Sequence, residues 1–265
     1  MKIATWNVNS IRTRLEHITE WLQNNSIDVL CLQETKVVDK DFPRSPLEQL
    51  GYHIYISGQK SYNGVAILSQ TPLQDITTGF SPILGEQPLH SQLDEQKRVI
   101  TGIINGIRIV NLYVPNGSEV GSEKYEYKLQ WLKVLKAYLN SLLPTPMVVC
   151  GDFNIAPEDR DIHTPEAYKG RIMASEAERQ ALQAIKDLGL ADVFRKFTTD
   201  GGQFSWWDYR AAAFRRNLGW RIDHHYLTAD LYEQATACTI DCTPRKLEKP
   251  SDHTPVIVTI PPLQS

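Results

Sequence analysis

"MVVCGDFNIAP" (residues 147–157) reads as a buried β-strand for four residues and then breaks into Gly151, Asp152 and Asn154. A short apolar run bounded by turn residues is strand-like. The polar residues at its end recur elsewhere in the same position. Asn7 and Asn9 follow "IATW", Glu34 follows "VLCLQ", Tyr113 follows "IVNL" and Asp223 follows "GWRI". In "EKPSDHTPVIVTI" (248–260), Asp252 and His253 stand at the mouth of another apolar run. A local cap accounts for any one of these, since Ser251 and Asp252 can bond their own backbone and Pro250 restricts the residue before it. Strand ends also hold side chains rigidly while leaving them accessible. Four acids gathered with an imidazole and two amides are costly without a compensating cation, so the pattern points to a divalent ion and an anionic substrate.

Working outward, strand-like runs recur at "KIATWNV", "IDVLCLQE", "GYHIYISG", "GVAILS", "RVITGII", "IRIVNLYVP", "FSWWDY", "RIDHHYLT", "ATACTI" and "VIVTI". Helical stripes fall near 14–24 (Leu15, Ile18, Trp21, Leu22), 123–142 (Tyr127, Trp131, Leu135, Tyr138, Leu142) and 175–189 (Leu182, Ile185, Leu188). The polar stretch 155–173, broken by Pro157, Pro165 and Gly170, reads as a surface excursion. The expectation is one α/β sandwich over residues 1–265, with strands in two layers and helices outside.

The 265 residues are 42% hydrophobic and 22% charged, enough for a sizeable core. Cys31, Cys150, Cys238 and Cys242 show no Cys-x-x-Cys spacing, so reduced thiols and a cytoplasmic protein are expected. "MKIATWNVNS" enters a strand directly, and no run reaches membrane-spanning length, which speaks against a leader or a membrane partner. A net charge of -3 argues against nucleic-acid binding through the whole surface. It permits a local basic patch, for which Arg210, Arg215, Arg216 and Arg221 are the candidates.

Eight motifs extend the argument: "WNVNSIR" (6–12), "LCLQETK" (30–36), "YNGVAIL" (62–68), "NLYVPNG" (111–117), "GDFNIAP" (151–157), "FSWWDYR" (204–210), "GWRIDH" (219–224) and "KPSDHTPV" (249–256). In this order, over nearly the whole chain, they resemble the exodeoxyribonuclease III group of apurinic/apyrimidinic endonucleases, within the endonuclease/exonuclease/phosphatase superfamily. The resemblance implies a four-layer α/β sandwich, two mixed β-sheets packed face to face with helices outside, and a site at one edge. It implies a magnesium site, open to manganese, with Glu34 as the main carboxylate and Asn7 and Asp252 assisting. Asp152 would orient or deprotonate water, Asn154 would hold it, and His253, oriented by Asp223, would hold the phosphate. Asn7 would add a neutral donor, and Tyr113 would meet the phosphate or the departing oxygen.

Trp206, Trp220 and Ile222 correspond to a pocket for an extrahelical sugar that lacks its base. Asn9, Arg12, Lys36, the loop residues Lys60 and Tyr62, and the four arginines would track the DNA. The implied activity is incision of duplex DNA 5′ to abasic sites, leaving a 3′-hydroxyl and a 5′-deoxyribose phosphate, with 3′–5′ exonuclease and 3′-end cleaning. The expected partner is duplex DNA with abasic sites or blocked 3′ ends, and the expected protein is a monomer, nucleoid-associated when on DNA. "RAAAFRRNLG" (210–219) differs in charge from some relatives, and "GSEVGSEKYEY" (117–127) lacks a basic cluster. These departures leave open the balance between internal cleavage, 3′ exonuclease action and removal of damaged 3′ ends; the alternative readings are mainly a 3′–5′ exonuclease or nonspecific nuclease, an inositol phosphate or sphingolipid phosphoesterase, and a catalytically weak damage-binding module.

Overall fold

The computed structural model describes residues 1–261. Twelve strands form two six-stranded sheets. The first sheet has the order β11-β12-β1-β2-β4-β3, from β1 (Lys2–Asn7), β2 (Val29–Gln33), β3 (His53–Ser57), β4 (Val65–Ser69), β11 (Ala237–Ile240) and β12 (Val256–Thr259). The second has the order β5-β6-β7-β8-β10-β9, from β5 (Gln74–Thr78), β6 (Val99–Ile104), β7 (Ile107–Tyr113), β8 (Met147–Asp152), β9 (Leu190–Asp192) and β10 (Asp223–Thr228). Each sheet is mixed: one central parallel pair, β1 with β2 or β7 with β8, lies among antiparallel neighbours.

Both parallel pairs need a crossover, and both crossovers carry a helix. Leu15–Asn24 links β1 to β2 and buries Ile18, Trp21 and Leu22. Glu123–Leu142 links β7 to β8; it starts where Ser122 Oγ accepts the Tyr125 N–H, and it ends just before Pro144. Its buried stripe includes Trp131, Leu135 and Tyr138, with Phe80 edge-on to Trp131. A third helix, Glu176–Lys186, opens with a capping box between Ser175 and Glu178. Among the described residues, no helix is long and apolar enough to cross a membrane.

The two-residue period of a strand then sorts the layers. Ile3, Val29, Cys31, Ile109, Val148, Cys150 and Leu227 meet in the cluster between the sheets. Their alternates pack outward: Ala4, Trp6, Leu30 and Leu32 against Trp21, and Val110, Leu112 and Val149 against Trp131. Followed towards one edge, the inward rows run from apolar to polar. Next come Thr5, Gln33 and Asn111, where Gln33 donates to Thr5 Oγ1 (2.9 Å) and to Asn111 Oδ1 (2.8 Å). Asn111 in turn donates to the Leu32 and Ala66 carbonyls, so this buried polar layer ties one sheet to the other. The rows end in Asn7, Tyr113, Asp152 and Asp223.

Three expectations change. "FSWWDY" forms no strand, because Trp206 pairs with only one residue on each side, Trp220 and His253. Ser205 Oγ accepts the amides of Ile222 and Asp223, which delays the start of β10 to Asp223. Stretch 155–173 folds inward as well: Ile162 pairs with Trp220, and Met173 and Ala174 are buried against it.

Candidate active site

Strand register sets Tyr113, Asp152 and Asp223 side by side across β7, β8 and β10. Asn7 and Glu34 face them from the first sheet, and His253 enters from the loop before β12. Asn7 Nδ2 donates to Glu34 Oε1 (2.8 Å) and to Asp152 Oδ2 (2.9 Å). Asp152 Oδ1 accepts the Asn154 N–H (2.9 Å). His253 Nδ1 meets Asp223 Oδ2 at 2.8 Å, and its Nε2 lies 3.6 Å from Asp152 Oδ2. Ser251 Oγ holds the turn by donating to the Asn7 carbonyl and accepting the His253 N–H.

The electrostatics follow from burial beside like and unlike charge. Burial alone would depress the His253 imidazole, but Asp223 and Asp152 outweigh it and push His253 up to about 10. Burial pushes Asp152 up to about 7 against the pull of His253, with Asp223 and Glu34 adding to the rise. Glu34 resists its burial: Lys36 and the Asn7 amide hold its carboxyl below the usual value. Burial, with Glu34 and Asp152 nearby, raises the Tyr113 phenol well above its ordinary range, so it remains an O–H donor. Asn9, Glu34, Lys36 and Asn154 all have left-handed backbone (φ 45°, 50°, 56° and 49°). Such strain costs about 1–3 kcal/mol per residue and collects where geometry is functional.

These residues suit a hard divalent cation. Four carboxylates (Glu34, Asp152, Asp223, Asp252) stand with two cations, Lys36 and the His253 imidazolium. Asp223 Oδ1 is buried with no hydrogen-bond partner among the described residues. Donor atoms of Asp152, Asp223 and His253 lie within 4.8 Å of one another. The carboxylate oxygens of this cluster are the fitting ligands for a hard ion.

Beside this cluster lies a cavity of about 440 Å³ walled by Trp206, Trp220, Tyr168, Ile172 and Met173. Tyr168 meets Trp220 edge-on at 5.0 Å. The arrangement is a buried acid–imidazolium–acid file next to an aromatic chamber. The model of the Endonuclease/Exonuclease/phosphatase family matches residues 4–253.

The chain belongs to that family. An exodeoxyribonuclease of Bacillus subtilis (strain 168) is 34% identical over 98% of this chain and 99% of its own. Among solved structures, an AP endonuclease from Archaeoglobus fulgidus is 41% identical with a TM-score of 0.92, covering 98% of this chain and 99% of that one. A 3′ phosphatase from Neisseria bound to a product DNA hairpin is 40% identical, again with a TM-score of 0.92 and coverage of 98% and 99%.

Within this family member, several residues lie where the sequence did not put them. Asn7 turns its amide nitrogen to the carboxylates, because its oxygen accepts the Asn9 N–H (3.0 Å). It is a donor to both carboxylates there. Asp252 has a partner on each oxygen, Trp206 Nε1 (3.0 Å) and Asn9 Nδ2 (3.2 Å). Lys36 reaches inward, 2.9 Å from Glu34 Oε2, and donates to Asn9 Oδ1. Ile222 is buried beneath the cavity in the cluster that contains Trp220.

Arg210 lines the cavity mouth, and Arg215 and Arg216 are exposed on the same loop. Lys60 and Tyr62 are exposed on theirs, and Arg12 is exposed in a loose pair with Asp41. Sequence reading passed over Arg98, stacked on Tyr113, and Asn116, which donates to Asn154 Oδ1. Asn116 stood in "YVPNG", three residues past a strand end, which was signal enough.

Arg221 is the clear correction. It is 1% exposed and cannot track a phosphate, since its guanidinium is spent on Asp161 (2.6 Å) and Asp192 (2.7 Å). That network clamps the inward-folded stretch 155–173 to β9 and β10. Arg221→Met leaves Asp192 buried without its cation and leaves Asp161 only Arg195, so stability falls by about 3–5 kcal/mol. Urea unfolding reads this directly; a change under about 1 kcal/mol would remove the clamp from the account.

Proposed function

We infer that this protein is a DNA-repair phosphodiesterase, a class II apurinic/apyrimidinic endonuclease, that uses magnesium to incise duplex DNA 5′ to an abasic site. The observation that carries the reading is the Asp223–His253–Asp152 file beside a tryptophan-walled cavity. The family is one of divalent-metal-dependent nucleases. Glu34 is the principal carboxylate for the ion, which supplies Lewis acidity to the phosphate; manganese substitutes for magnesium. Asp152, with its pKa raised to about 7, takes the proton from water. Asn154 steadies that water with its side-chain amide, which also donates to the Val114 carbonyl. The His253 cation holds a phosphate oxygen, and Asp223 fixes the orientation of the ring and its charge. Tyr113 donates its O–H toward the departing oxygen.

Selection belongs to the cavity. A sugar without a base can swing between Trp206 and Trp220, whereas an intact nucleotide must unstack and still house its base. Arg12, Arg210, Arg215, Arg216, Lys60 and Tyr62 offer exposed contacts for the phosphate backbone. The same centre acts on 3′ ends, giving exonuclease and 3′-cleaning activity, in keeping with the Neisseria relative. Residues 1–265 act as one domain and as a monomer.

Purified protein is given abasic duplex, intact duplex and a recessed 3′ end, with magnesium and after chelation. Abasic incision is expected to dominate, to stop on chelation and to return with magnesium or manganese. Trp220→Ala is expected to cut the abasic preference by about tenfold or more. Full activity after rigorous chelation would overturn the role of Glu34. Equal cleavage of abasic and intact duplex would mark a nonspecific nuclease, and binding without turnover a recognition module.

A further inference from the structure

We propose that Asp252 is a positioning residue for substrate selection: its carboxylate fixes the indole of Trp206 in the cavity wall. Trp206 is held twice through its backbone. Its N–H reaches the Trp220 carbonyl (3.0 Å), and its carbonyl accepts the Trp220 N–H (2.9 Å). These bonds fix the α-carbon and leave the side-chain torsions free. The ring is half-buried and packs on one side against the cluster that contains Trp220. Its single polar atom, Nε1–H, donates to Asp252 Oδ2 at 3.0 Å, and that bond sets the plane of the wall.

Asp252 is itself immobilised. Its carbonyl accepts the Trp207 N–H (3.0 Å), and its Oδ1 accepts from Asn9 Nδ2 (3.2 Å). Asn9 is pinned by Lys36 at its oxygen (2.6 Å) and bonds Tyr209 Oη at 3.2 Å. A run of hydrogen bonds thus joins the cavity wall to Glu34 through Asp252, Asn9 and Lys36. Both Asp252 oxygens are engaged within this run, one by the indole and one by Asn9. The carboxylate of Asp252 therefore works as an acceptor for the wall.

This role rests on the abasic-site reading. The test is a double-mutant cycle of Trp206→Phe, which keeps the ring and deletes the donor, with Asp252→Ala. The quantity measured is the rate of abasic incision divided by that of recessed 3′-end removal. Each single change is expected to lower this ratio about tenfold, as loss of a hydrogen bond to a charged acceptor does, and the double change no further. Should Asp252→Ala fail to fold, Asp252→Leu, of similar size and without an acceptor, takes its place in the cycle. Manganese binding by calorimetry, on DNA-free protein, supplies the second readout. An additive cycle would overturn the role, as would an unchanged ratio with manganese affinity reduced tenfold. Wild-type protein that digests 3′ ends but never incises abasic duplex would take down the functional reading as well; an additive cycle on active wild type removes only the role of Asp252.

Discussion

Asp152→Asn lowers single-turnover incision of abasic duplex by about 10⁴-fold and leaves DNA binding within about threefold. The substitution keeps the volume of the side chain and an oxygen for the Asn154 N–H, and it removes both the charge and the basic site. Asp152 is 1% exposed, so bulk water cannot replace it as the base. The sign of the pH dependence follows from the same residue. Activity needs Asp152 ionised, so it falls as pH drops through about 7, and it needs His253 protonated, so it falls again as pH rises through about 10. A bound divalent cation favours the ionised acid and moves the lower limb to lower pH. The Asp152→Asn protein loses that lower limb along with its rate. A variant with the wild-type rate would remove Asp152 as the base.

His253→Ala lowers the same rate by about 10³-fold, because a buried cation is lost from the position that balances the phosphate and the Asp152 carboxylate. Asp223→Ala costs about 10²-fold, since the imidazole keeps its place but loses the 2.8 Å bond that fixes its orientation and its charge. The double variant is no slower than His253→Ala, because Asp223 acts through the ring. Single-turnover rates for the four proteins decide the matter. Strict additivity would mean that Asp223 touches the chemistry by another route.

Much of this arrangement was legible because a strand alternates its faces. Once Ile3, Val148 and Cys150 are inward, Asn7 and Asp152 must be inward too, at the point where the apolar rows stop. What stayed hidden depended on partners distant in sequence. Gln33 and Asn111 read as ordinary strand residues, yet they bond across 78 positions to lock the sheets. Arg221 stood in a run of arginines and looked like a phosphate contact; Asp161 and Asp192, 60 and 29 residues away, draw it into the interior. "FSWWDY" has the composition of a strand but is pinned by Trp220 on one side and His253 on the other, and no ladder forms.

The most direct test of the central claim, water attack on phosphorus on the 5′ side of the lesion, is end-group analysis of one labelled abasic duplex cleaved in oxygen-18 water with magnesium. The account predicts a 3′-hydroxyl on the upstream fragment and a 5′-deoxyribose phosphate on the other, with oxygen-18 in that phosphate. An unsaturated sugar on the 3′ end and an unlabelled phosphate would mean that a lyase breaks the strand on the other side, and would contradict it.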